Sequence, residues 1–167
     1  MKKFLKIMSL TFVVLMMSFA LVACGGDDTQ QPQGMTEEEY KAKLEEIGTK
    51  MDSISADMEN IITMLVFGDR DIDALNAYFK DLKAPFIEFA NLEAPEKYQE
   101  AQEKFKIGCE TAVEILTEAQ DCFTMMANGD FDMAELEAKT DKLDELTNKL
   151  VAEFEAGFAL LPESSKN

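Results

Sequence analysis

From residue 40 onward, apolar side chains recur at helical spacing, and no stretch alternates in the manner of a strand. Tyr40, Leu44, Ile47, Met51, Ile54, Met58, Ile61 and Leu65 follow one another in steps of four and three, a seam of period 3.5 along one helix. Thr36, followed by Glu37, Glu38 and Glu39, supplies its start: a capping hydroxyl, acid in the first turn and a glutamate at the capping-box position. The helix is expected to end near Phe67, with Gly68 as the left-handed stop and Asp69 or Asp71 capping the next helix. A second stripe, Ile72, Leu75, Phe79, Leu82, Phe86 and Phe89, encloses Pro85, which predicts a kink or a break at Lys83-Ala84.

Ala94-Pro95-Glu96 reads as a third start, with Pro95 at the first helical position. Its stripe is Tyr98, Gln102, Phe105, Cys109, Ala112, Leu116, Ala119, Phe123 and Met126, small in the middle, so that a neighbouring helix can approach closely. Asn128-Gly129 closes it, and Asp130 or Asp132 restarts the chain. A fourth helix carries Leu136, Leu143, Leu150, Phe154 and Leu161, with Leu146, Val151 and Phe158 beside them, and Pro162 stops it. Long helices joined by short turns pack as antiparallel neighbours. The expected fold is all-α, an elongated up-down-up-down four-helix bundle whose longest helices reach roughly 45 Å.

A weak internal repeat crosses this pattern. Thr63-Met64-Leu65, Gly68-Asp69, Asp71 and Leu75 correspond to Thr124-Met125-Met126, Gly129-Asp130, Asp132 and Leu136, and Leu82 to Leu143, all 61 residues apart. Two similar hairpins in tandem would produce this. So would convergence, since glycine ends helices and aspartate starts them.

Ahead of the helices, Lys2, Lys3 and Lys6 precede a largely apolar stretch, Ile7 to Val22, which is short of the roughly 20 residues that span a bilayer. Ser18-Phe19-Ala20 would suit ordinary signal cleavage, but Leu21 is too bulky for the −3 position of a cut after Ala23. Leu21-Val22-Ala23-Cys24 resembles the lipobox of bacterial lipoproteins at every position. That resemblance implies that residues 1–23 are a signal peptide, removed once Cys24 is lipidated. It implies further that residues 24–36 are the lipidated cysteine and a flexible tether, 37–162 the bundle and 163–167 a disordered tail. Two acyl chains on Cys24 would meet the requirement for stable anchoring. As a whole, the chain resembles the small, helical, surface-tethered lipoproteins of Gram-positive bacteria. The implied location is the extracytoplasmic face of the cell membrane.

Charge narrows the partners. The chain has 16 Lys and Arg against 33 Asp and Glu, a net charge of −17; loss of Lys2, Lys3 and Lys6 with the signal leaves 13 against 33, or −20. Nucleic acid and anionic headgroups would be repelled. Cationic ligands or an envelope protein remain, and surface acid also simply keeps an exported protein soluble.

The chemistry-bearing residues are few. There is no histidine, so the commonest general base and metal ligand is missing, and with it the Glu-x-x-His pairs of di-iron bundles. Asp69, Asp71 and Asp73 have the spacing that opens a calcium loop. However, Ala74 stands where that loop needs glycine, and Lys80 where it needs a bidentate glutamate. Cys109 and Cys122, some 20 Å apart along one helix, cannot form a disulfide with each other. Cys109 belongs to the seam, and Cys122 is expected to flank it, partly exposed.

Met51, Met58, Met64, Met125 and Met126 read as core packing, with copper(I) as the sharper alternative. No catalytic residue, metal site or cofactor is expected. The leading expectation is a non-enzymatic interaction or scaffold module. The alternative is a small-ligand binder, with a cation on the acidic face or an apolar molecule between helices. That molecule would be lined by Phe79, Phe86, Phe89, Cys109 and Ala112, in a gap around Pro85 between the phenylalanine cluster and the small-residue middle of the third helix.

Overall fold

The computed structural model describes residues 35–46, 49, 71–129 and 132–162. The later course of the first seam, the Gly68 turn, Asp69, Asp130, Cys24 and the residues around it all lie outside these. Within them the protein is an all-α four-helix bundle, and no strand occurs among the described residues.

Helix α1 (37–46) begins at the capping box read from the sequence. The Glu39 N–H donates to Thr36 Oγ1 at 3.2 Å, and the Thr36 N–H donates back to Glu39 Oε2 at 2.8 Å. Tyr40 and Leu44 point into the core. Helix α2 (Ile72–Ala90) starts at Asp71, whose carboxylate accepts the N–H groups of Asp73 and Ala74 at 2.9 and 3.0 Å.

The expected break at Lys83-Ala84 does not occur, because α2 runs unbroken through Pro85. Proline inside a helix costs about 3 kcal/mol. The ring is itself buried, however, as are Leu82, Phe86 and Phe89 on the same helix, and burying each large apolar side chain returns about 1.5–3 kcal/mol. Tertiary packing outweighs the local penalty.

A short connection leads to a 3₁₀ turn, Glu96–Tyr98, and then to α3 (Gln99–Asn128). Pro95 sits one place earlier than expected. It is extended, with ψ 151°, and its carbonyl accepts the Tyr98 N–H at 2.7 Å, so it caps the turn rather than opening the α-helix. The tighter turn carries Tyr98 into the core.

Helix α3 ends as predicted at Gly129, whose φ of +76° is the left-handed conformation that glycine adopts without penalty. Asp132 then caps α4 (Met133–Leu160), accepting the Ala134 N–H at 2.8 Å. Leu161 is extended ahead of Pro162, the conformation favoured for a residue before proline.

Helix α3 packs against both α2 and α4 and is the centre of the described structure. At 30 residues it spans about 45 Å. Because two neighbours cover it, it buries more than its predicted stripe: Ala101, Gly108, Thr111, Ile115 and Cys122 form a second covered face. Where α3 meets α4, each helix offers a phenylalanine to the other's glycine. Phe154 lies over Gly108 and Phe105 over Gly157, with the two rings 5.7 Å apart.

The two hairpin starts also agree in detail. Asp71 and Asp132 both cap, their carbonyls accept the N–H groups of Leu75 and Leu136 at 3.0 Å, and Leu82 and Leu143 are both buried.

Candidate functional site

The residues expected to line a ligand site all lie in one continuous core. They are distributed along it rather than gathered round a point. Phe79 and Phe89 stand ten residues apart on α2, about 15 Å along the axis, with Phe86 between them. Each end is filled by a ring from α3: Phe79 meets Phe123 at 5.9 Å and Phe89 meets Phe105 at 5.6 Å. Cys109 and Ala112 belong to the same core, on α3. Proline therefore opens no break in α2 around which these five side chains would converge.

Cys122 corrects the sequence reading, being wholly buried rather than partly exposed. Thirteen residues place it about 140° round the helix from Cys109, on the second covered face that the single stripe did not reveal. Burial pushes both thiols up, with Glu110 adding to it at Cys109; at Cys122, Glu118 and Asp121 push the same way against the opposing pull of Lys139. Both remain neutral thiols, the unreactive form.

Among the described residues, one buried polar contact between helices lies at the end of the bundle where α1 begins. Gln102, placed on the seam by periodicity, is buried there. Its Nε2 donates to the Phe89 carbonyl at 2.7 Å, and the Tyr40 hydroxyl donates to its Oε1 at 2.6 Å. A carbonyl can only accept, so the amide orientation follows from its two partners. The rings of Tyr40 and Tyr98 lie 5.1 Å apart. Burial, reinforced by Tyr98 and Cys109, holds the Tyr40 phenol above its usual range. Two ion pairs flank this point: Lys97 with Glu37, and Lys43 with Glu88 at 3.1 Å. Sequence reasoning found Gln102 but not its role; the one available signal was an amide at a seam position.

On the outer side of the α3–α4 pair, Lys139 and Lys142 bracket Glu118 at 3.0 and 2.6 Å, with Asp121 and Glu114 at the edges. The two lysines hold the Glu118 carboxyl below its usual range. Lys83 of α2 donates to Gln120 Oε1 at 2.7 Å, and partial burial holds its ammonium below the usual lysine range. Among the described residues, no group of three or more His, Cys, Asp or Glu side chains is placed to hold a metal ion. Asp71, from the calcium-like spacing, spends its carboxylate on the α2 cap. Met125 and Met126 are half-buried near the end of α3, and Met126 packs on the core. Met51, Met58 and Met64 lie outside the described residues. No described helix is long and apolar enough to cross a membrane.

The two ends of the rod differ. The first turns of α1, the last turn of α2, the start of α3 and the end of α4 share the end where the chain enters. The far end carries the α3–α4 turn and Met133, the most exposed large apolar side chain among the described residues at 65%. Residues 35–154 match a family described as a domain of unknown function (DUF7018); the match begins one residue ahead of the Thr36 cap. No curated protein and no solved structure matches the chain.

Proposed function

We propose that this chain, which belongs to the DUF7018 family, is a membrane-anchored extracytoplasmic lipoprotein acting as a non-enzymatic interaction module. It is lipidated at Cys24 and presents the far end of its bundle to another protein of the cell envelope.

The observation that carries this reading is where the bundle begins. The Thr36–Glu39 box and the buried Tyr40 hydroxyl fix the start of α1 at one end of the rod. A tether of residues 24–35 reaches at most about 40 Å when fully extended. It would therefore hold that end toward the membrane and leave the end with the α3–α4 turn and Met133 facing outward. The large negative charge supports the same orientation, since an anionic surface repels the domain rather than drawing it flat. The interior supports packing rather than chemistry: its aromatic rings are occupied with one another and its thiols are held neutral.

The test is chemical cross-linking of intact cells carrying the tagged full-length chain, followed by pull-down, beside a Cys24→Ala variant. The wild-type chain should bring down a specific envelope protein from the membrane fraction, and the variant should lose it. Recovery of no specific partner with the wild-type chain would overturn the proposal.

A further inference from the structure

Something must fix how far α1 slides along its neighbours, and most of the candidates fail. The apolar seam predicted from Tyr40 to Leu65 repeats in steps of four and three, so moving the helix by four or seven residues puts Leu44 or Ile47 in the place of Tyr40 and keeps apolar against apolar. The Thr36–Glu39 box travels with α1 and is indifferent to its position. The two flanking ion pairs, Lys97–Glu37 and Lys43–Glu88, favour the observed position, but they are solvent-exposed contacts of small worth.

Two contacts are left that distinguish the positions, the Tyr40–Tyr98 ring pair at 5.1 Å and a buried hydrogen bond, and a Tyr40→Phe change keeps the first while removing the second. Tyr40 is the one seam residue between 40 and 65 with a hydroxyl, and its partner Gln102 is buried in an otherwise apolar seam. In either shifted position an aliphatic side chain faces Gln102, and its Oε1 loses its donor inside the core.

We propose that Tyr40 and Gln102 are the register pin of the bundle: their buried O–H···O contact selects one axial position of α1 against α2 and α3. The pin ties three helices at a single point, because Gln102 also donates to the last turn of α2 through the Phe89 carbonyl.

The test uses the full chain in detergent with Cys24→Ser, so that only introduced thiols take a label. Spin labels go on Ala42→Cys and Glu103→Cys, both exposed, while Cys109 and Cys122 are buried. With the pin intact, one narrow interlabel distance is expected. In Tyr40→Phe/Gln102→Leu, which removes donor and acceptor together, a second population should appear with α1 displaced by about 6 or 10 Å, four or seven residues of helix rise. The shifted position should rise roughly 5- to 150-fold, the equivalent of the about 1–3 kcal/mol that an orphaned buried acceptor costs. A single distance equal to the parent's, in a variant that still melts cooperatively, would overturn the proposal. Should the double variant not fold, Tyr40→Phe alone in the same labelled background decides: a broadened or split distance supports the pin, and an unchanged one refutes it.

Discussion

Replacing Gly108 with alanine adds one methyl group between α3 and α4, and two opposing terms decide the result. In a helix interior the change is worth up to about 1 kcal/mol in favour of alanine, through backbone entropy. Against this, the added Cβ would lie 2.6 and 2.7 Å from Phe154 Cε2 and Cδ2. Carbon atoms sit comfortably at about 3.5–4.0 Å, so the ring must retreat by roughly 1 Å. It has little freedom to do so, with the Phe105 ring 5.7 Å away on one flank and the Phe158 ring at 6.5 Å.

Overpacking of this kind costs typically 1–3 kcal/mol, and contacts about 1 Å too short put it in the upper part of that range, so after the helix gain a net loss of about 1–2 kcal/mol is expected, or roughly 2–8 °C in melting temperature for a chain of this size. The assay is thermal unfolding followed by far-UV circular dichroism, with Phe154→Leu made alone and together with Gly108→Ala. The pair should be less harmful than the sum of the two single changes by about 1 kcal/mol or more, because leucine vacates the space the methyl group needs. A Gly108→Ala protein that melts at or above the wild type would refute the reasoning, since propensity would then have prevailed over packing.

Gly157→Ala should behave in the same way, with a loss of about 1–2 kcal/mol, because its Cβ would meet Phe105 Cε1 at 2.5 Å; an unchanged melt would contradict this. Asp71→Ala and Asp132→Ala should each cost about 1 kcal/mol and add when combined, as independent caps do, which urea titration of the three variants reads directly. Lys142 and Lys139 hold the Glu118 carboxyl low, so its contribution is present above its unfolded pKa and fades as pH falls through the folded one. The wild type should therefore exceed Glu118→Gln by up to about 1 kcal/mol at neutral pH, and the difference should shrink only as pH falls below the usual glutamate range. Modification by a thiol reagent, mapped by peptide, should leave Cys109 and Cys122 untouched until the protein unfolds; rapid labelling of either under native conditions would contradict their burial.

Legible and illegible features of the sequence divide along a physical line. The caps at Thr36, Asp71, Gly129 and Asp132 and the stripes of α2, α3 and α4 depend on spacings of a few residues, and each reads correctly from the chain. The continuity of α2 through Pro85 does not, because the local penalty is opposed by the burial of the proline ring and of its apolar neighbours on α2. Cys122 is misjudged because periodicity marks one face, whereas α3 is covered on two. The aromatic residues named as a possible ligand lining are core, as their stripe implies, but their partners Phe105 and Phe123 become visible only once α2 and α3 are set side by side. The Gly108–Phe154 and Gly157–Phe105 pairs and the Tyr40–Gln102 contact join residues 46 to 62 positions apart, beyond the reach of any local pattern.

The proposed interaction role is tested most directly by placing a photo-cross-linking amino acid at Met133 or at Ile87 in the full-length chain in intact cells. Both side chains are exposed, but Met133 lies at the far end and Ile87 beside the end where α1 begins. A discrete cross-linked envelope protein is expected from Met133 and none from Ile87. The same product from both positions, or none from Met133, would contradict the proposed role.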